Sequence, residues 1–182
     1  FEKHLGGLPH ADGRLFAFLG GTIGNFTPDE MLFFLKRMAF LAEPNDTLLV
    51  GIDLVKDKNE LEAAYNDSAG VTAAFNKNVL SSINTSLAGN FDLDGWEHVA
   101  FFDEENQWIE MRLRAKRNQV VKIAAIDLTI DFVAGEDIRT EISRKFTREG
   151  FVAALEAAGL ELKDWYTDGD ERFALALCAP AT

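Results

Sequence analysis

The sequence predicts an α/β protein: part of an open sheet built on a parallel strand–helix–strand unit, carrying an inserted α+β region. The first indication is the continuous apolar run Leu15-Phe16-Ala17-Phe18-Leu19 ending in Gly20-Gly21, which reads as a strand buried on both faces and running into a tight turn. The second is Thr47 to Asp53, a run of the same kind, separated from the first by one helix-length segment with short connections, as a βαβ unit requires. The third is a change of character from about residue 57, where helical segments and then period-two strands replace the βαβ pattern.

Between the two apolar runs, Thr27-Pro28-Asp29-Glu30 carries a complete helix start: Thr27 as N-cap, Pro28 at the first helical position and Glu30 closing a capping box. Met31, Phe34, Leu35, Met38 and Leu41 then recur at helical spacing, and Pro44-Asn45-Asp46 is the turn into the second strand. Helices are predicted over 59–66 and 72–87, broken by Ser68-Ala69-Gly70. Strands are predicted over 98–103, 108–116 and 120–132 as an antiparallel meander, with a further extended segment over 139–146. Thr147-Arg148-Glu149-Gly150 opens a helix through Phe151, Leu155 and Ala158, stopped by Gly159, and strands over 160–165 and 173–178 close the chain. The expected organisation is core over 1–56, insertion over 57–145 and a return to the core over 146–182.

Composition narrows the function. The 182 residues are 47% hydrophobic and 26% charged, enough apolar content for a core, and the formal charge of -12 disfavours a nucleic-acid partner, which needs a basic footprint. Charged residues interrupt each apolar run before it reaches a membrane span, so no membrane partner is expected. With one cysteine, Cys178, a disulfide framework is excluded and a reducing, cytoplasmic setting is expected. Cys178 itself lies in an apolar strand and reads as an inert core thiol. His4, His10 and His98 lack the spacing of a metal site, and no serine sits in a nucleophile elbow. The chain starts at Phe1 without an initiating methionine, so it is expected to be a piece of a longer protein.

In an open α/β sheet, ligands lie beyond the carboxyl ends of the strands. The loop Gly20-Gly21-Thr22-Ile23-Gly24-Asn25 occupies that position; its glycines permit close backbone approach and Asn25 offers both a donor and an acceptor. It is neither a P-loop nor a full dinucleotide fingerprint, and a plain tight turn is the alternative. Tyr65, one of two tyrosines beside 15 phenylalanines, follows the second strand and can overhang the same crevice. Glu141 and Ser143 are two apart in an extended segment and share a face, so together they could grip a polar heterocycle or simply face solvent. Met111 faces a core or a pocket.

The stretches Phe18-Leu19-Gly20-Gly21-Thr22-Ile23-Gly24-Asn25-Phe26, Asp53-Leu54-Val55-Lys56-Asp57, Ala64-Tyr65-Asn66-Asp67 and Gly70-Val71-Thr72-Ala73-Ala74-Phe75-Asn76, continuing through Ile109-Glu110-Met111 to Thr140-Glu141-Ile142-Ser143, resemble the histidine-specific N-alpha-methyltransferases of ergothioneine biosynthesis. The resemblance covers essentially the whole chain. It implies a Rossmann-like methyltransferase sheet with an inserted substrate-binding domain, S-adenosyl-L-methionine as cofactor, and trimethylation of the alpha-amine of L-histidine to hercynine by a monomer without a metal. By the same resemblance, Asn25 holds the amino-acid head, Tyr65 binds its carboxylate, Met111 packs at the substrate pocket, and Glu141 with Ser143 reads the imidazole nitrogens. Gly20 and Phe1 are implied at the cofactor. The family's glycine-rich cofactor loop and ribose-binding acid precede the matched region, so the chain corresponds to the C-terminal part of the enzyme and is expected to be inactive alone. A methyltransferase of another amino acid or small amine, and a domain that binds ligand without turnover, are the alternatives.

Overall fold

The computed structural model describes residues 11–181; Phe1, His4 and His10 lie outside them. The described chain divides into two compact units, one of residues up to 56 together with those from 143, the other of residues 57–142.

The first unit is a four-stranded sheet in the order β1-β2-β9-β8, with β1 (Leu15–Phe18), β2 (Thr47–Asp53), β8 (Leu160–Thr167) and β9 (Phe173–Pro180). β1 and β2 are parallel, Leu15 opposite Thr47, whereas β9 runs antiparallel to β2 and β8 antiparallel to β9. The connection from β1 to β2 is helix α1 (Pro28–Leu41), whose start has the expected capping box: the Thr27 side chain accepts from Glu30 N, and Glu30 returns the bond to Thr27 N. Met31, Phe34, Leu35 and Met38 are buried against Val50, Ile52, Ala174, Ala176 and Cys178 of the sheet. Helix α4 (Arg148–Ala157) is capped by Thr147, which accepts from Gly150 N, and packs Phe151 and Leu155 into the same core.

β1 departs from expectation. Leu15 is 60% exposed, and the strand alternates between exposed and half-buried residues. Among the described residues β1 pairs with β2 alone, and a strand paired on one side is covered less than one paired on both. β2, flanked on both sides, is the buried one.

At the start of β1, Asp46 accepts from Arg14 N at 2.7 Å, Arg14 Nε at 3.0 Å, Arg14 Nη2 at 2.5 Å and Glu43 N at 2.7 Å. Its side chain is fully buried. The hydrogen bonds from the Arg14 guanidinium outweigh the burial and lower its pKa to about 2.

The second unit holds helices α2 (Lys58–Tyr65) and α3 (Val71–Leu87), a sheet in the order β3-β4-β7 and a separate hairpin β5-β6. β3 (Trp96–Asp103) and β4 (Trp108–Ala115) are antiparallel, Trp96 opposite Ala115; β7 (Asp137–Arg144) lies beside β4 and runs on into the first unit. The long strand expected over 120–132 is two strands, β5 (Gln119–Ile123) and β6 (Leu128–Phe132), joined by a 3-10 turn at Ala124–Ile126. Asp127 takes a left-handed conformation there (φ 49°), which reverses the chain without a Gly or Pro to announce it. The predicted single meander is therefore two sheets. Trp96, fully buried, meets Phe132 edge-on at 4.9 Å in a core with Leu80, Leu113 and Val121. No helix among the described residues is long and apolar enough to cross a membrane.

Candidate functional site

The Gly20–Asn25 loop leaves the carboxyl end of β1 through two left-handed residues, Gly20 (φ 86°) and Gly21 (φ 70°), and closes into a 3-10 turn at Thr22–Asn25. Among the described residues a side chain at Gly20 would meet no atom within 4 Å, which leaves its backbone open to close approach. Gly24 has the opposite reason to be glycine, since a Cβ there would lie 2.8 Å from the carbonyl oxygen and 3.2 Å from the nitrogen of Arg144. That contact seats the turn against the end of β7.

The end of β7 is wired to β2 by charge. Lys145 has 1% of its side chain exposed; its Nζ donates to Asp53 Oδ2 at 2.8 Å and to Ser143 Oγ at 2.9 Å. Asp53 also accepts from Lys56 Nζ at 2.7 Å, and Lys56 reaches the Arg172 carbonyl at 3.0 Å. The neighbouring Arg144 stacks on Phe146 at 5.1 Å and donates from Nη1 towards Met31 Sδ at 3.5 Å, while its buried Nε has no hydrogen-bond partner. Burial without a carboxylate lowers the guanidinium pKa from its ordinary value.

In the second unit Tyr65 ends α2 and is half-buried against the cluster of Leu61, Phe102, Ile109 and Met111. The structure thereby brings together Tyr65 and Met111, 46 positions apart in their numbering, by packing α2 on β3 and β4. Asn66 and Asp67, which the sequence placed with Tyr65, have structural work. Asn66 Nδ2 ties α2 to β3 through the Ala100 carbonyl at 3.0 Å. Asp67 caps α3 by accepting from Thr72 N at 2.8 Å and Val71 N at 2.9 Å, bonds that lower its pKa. His98 sits behind Tyr65: Nε2 is 2.9 Å from the Tyr65 carbonyl oxygen and Nδ1 is 2.9 Å from Asn76 Nδ2.

Glu141 and Ser143 both lie in β7, two residues apart and therefore on one face of the strand, with Ile142 buried on the other. Ser143 is buried and Glu141 half-buried. Phe1 lies outside the described residues. Sequence reasoning missed Lys145, Asp53, Asn76 and the structural use of His98. Lys145 continues the alternation Glu141, Ser143, Lys145, and that period was the one signal that pointed to it.

The backbone at Gly20 leaves room for close approach to the loop, and β7 carries Glu141 and Ser143 as a polar pair. Among the described residues no three His, Cys, Asp or Glu are grouped to hold a metal.

The chain matches, over residues 1–180, the model of a family described as histidine-specific methyltransferase, SAM-dependent. It is 51% identical over 177 residues to a histidine N-alpha-methyltransferase of Mycolicibacterium smegmatis (97% of this chain, 55% of that protein). It is 49% identical over 179 residues to the protein of that name from Mycobacterium tuberculosis (98% and 56%). An L-tryptophan methyltransferase of Psilocybe serbica is 30% identical over 161 residues (87% and 44%). The chain thus spans about half the length of the curated relatives it matches. Matched over nearly its whole length, the chain belongs to the family of SAM-dependent, histidine-specific methyltransferases.

Proposed function

We propose that the full-length protein transfers methyl groups from S-adenosyl-L-methionine to the alpha-amine of L-histidine, carrying it to the trimethylated product hercynine as a step towards ergothioneine. The observation that carries the substrate assignment is the pairing of Glu141 and Ser143 on one face of β7. A carboxylate accepts from an imidazole N–H, and a hydroxyl serves the second nitrogen. Tyr65 binds the substrate carboxylate, Asn25 the amino-acid head, and Met111 forms apolar wall beneath Tyr65. Gly20 gives the cofactor access to the backbone, and Phe1 contributes at the adenine.

The cofactor supplies an electrophilic methyl on a sulfonium. Asn25 and Tyr65 would hold the amino-acid head so that its unprotonated nitrogen faces that methyl, while Glu141 and Ser143 would hold the ring. The work left to the protein is alignment, for which holding both ends of the substrate contributes up to about 7–11 kcal/mol. The protein acts on a small molecule as a monomer in the cytoplasm.

Calorimetric titration of L-histidine into the full-length protein with S-adenosylhomocysteine present tests the reading. Histidine binds, and Glu141→Ala weakens it by about 10- to 100-fold, the loss of a hydrogen bond to a charged group in a partly buried site. Unchanged affinity in that variant removes Glu141 from the ring. Tryptophan binding in place of histidine would favour the activity named for the Psilocybe relative.

A further inference from the structure

A polar side chain buried inside a helix packing face is costly unless its groups are bonded. Asn76 stands on the buried face of α3 with Leu80 and is 3% exposed. Its amide nitrogen lies 3.0 Å from the Arg112 carbonyl oxygen and 2.9 Å from His98 Nδ1. A carbonyl only accepts, so the nitrogen belongs on that side and both of its protons are committed. The two bonds hold the amide in one orientation, with Oδ1 turned away from them. Among the described residues this oxygen accepts no hydrogen bond, and it is not sealed in as the unpartnered nitrogens of Arg37, Trp96 and Arg144 are. An oriented acceptor in a nearly buried residue needs a donor from elsewhere.

Its neighbours indicate which donor. In the antiparallel pair of β3 and β4, His98 lies opposite Leu113 and Ala100 opposite Met111, and alternate residues share a face. Asn76 is bonded to His98 on that face, and Tyr65 packs on the cluster that holds Met111 and Ala100, the next pair along. His98 bridges the two, its Nε2 being 2.9 Å from the Tyr65 carbonyl oxygen. Asn76 on α3 and Tyr65 on α2 are thus neighbours within the second unit.

We infer that Asn76 is a further substrate-binding residue, whose Oδ1 accepts a hydrogen bond from the alpha-amine of the amino acid. This rests on the reading that Tyr65 binds the carboxylate, because amine and carboxylate are attached to one carbon. An amide oxygen is too weak a base to remove a proton, so the role of Asn76 is orientation: it holds one N–H and leaves the nitrogen lone pair free.

The test compares L-histidine with imidazolepropionate, which is histidine without its amine, by calorimetric titration into full-length wild type and Asn76→Ala with S-adenosylhomocysteine present. The loss on Asn76→Ala is expected to be about 3- to 10-fold greater for histidine than for imidazolepropionate, the range for one hydrogen bond. A role confined to holding His98 and α2 weakens both ligands alike, so equal losses, or no loss for either, overturn the inference. Wild type that binds imidazolepropionate as well as histidine also overturns it, since the amine would then have no partner. Wild type that binds neither ligand removes the histidine reading itself, and is told apart because no variant is involved. If Asn76→Ala does not fold, carbon NMR of the Asn76 side-chain carbonyl in wild type decides. The resonance is expected to shift on adding histidine and to stay in place on adding imidazolepropionate; the same shift with both, or none with either, overturns the inference.

Discussion

Asn76 Nδ2 lies 2.9 Å from His98 Nδ1 and 3.0 Å from the Arg112 carbonyl oxygen, and the pair of contacts fixes the tautomer of His98. A carbonyl only accepts, so the Asn76 atom is the amide nitrogen and His98 Nδ1 must accept from it. The proton is then on Nε2, which donates to the Tyr65 carbonyl at 2.9 Å. A nearly buried asparagine on α3 thereby holds the end of α2, where Tyr65 stands, in place against β3.

His98→Ala should therefore remove two partly buried hydrogen bonds at once, those to the Tyr65 carbonyl and from Asn76. The expected loss is about 1–3 kcal/mol of stability, read as a lower urea midpoint of the full-length protein. His98→Phe, which fills the space without the bonds, should lose a similar amount; full stability in that variant would show that the imidazole acts by volume alone.

Tyr65→Phe keeps the ring packed on Met111 and Leu61 and deletes the hydroxyl. Histidine affinity should fall about 10-fold or more, as expected for a bond to a carboxylate. Histamine, which lacks the carboxylate, should bind both proteins alike. Equal losses for the two ligands would show that Tyr65 does not read the carboxylate.

Asp46 makes an acid-sensitive contribution. Its folded pKa of about 2 lies below the ordinary carboxylate value of 3.8, so the group stabilises the fold above that ordinary value and the contribution is lost as pH falls through about 2. The difference is worth about 2 kcal/mol. Asp46→Asn should lose stability near neutrality and show a smaller further loss on acidification than wild type, measured by urea unfolding between pH 5 and the acid limit of the native state.

Gly24→Ala should destabilise by about 1–3 kcal/mol, because the added methyl meets backbone rather than a movable side chain at Arg144. Gly20→Ala meets no atom, so its cost is the left-handed backbone, about 1–2 kcal/mol, with weakened cofactor binding in titration as its specific mark.

Cys178 is fully buried, and burial pushes its thiol pKa up to about 12. Mass spectrometry after iodoacetamide treatment should find the Cys178 peptide unmodified in the native protein and alkylated in denaturant. Native labelling would mean that β9 opens readily.

The sequence by itself determined the local elements and the chemistry on offer. Thr27, Pro28 and Glu30 announce α1 because a capping box is satisfied within four residues, and Thr147 and Gly159 bound α4 in the same local way. The β1–α1–β2 unit and the pairing of Glu141 with Ser143 follow from periodicity alone. Tertiary structure decided what depends on neighbours distant in sequence. How far an apolar run is covered depends on how many strands flank it: among the described residues Leu15 is exposed while Val50 is buried. The reversal at Asp127 is a backbone choice that its side chain does not advertise. The bond from Lys145 to Asp53 spans 92 positions, and no local rule carries that far. Propensity and spacing are short-range, whereas the charges around a buried side chain are set by whichever distant segments the fold brings beside it.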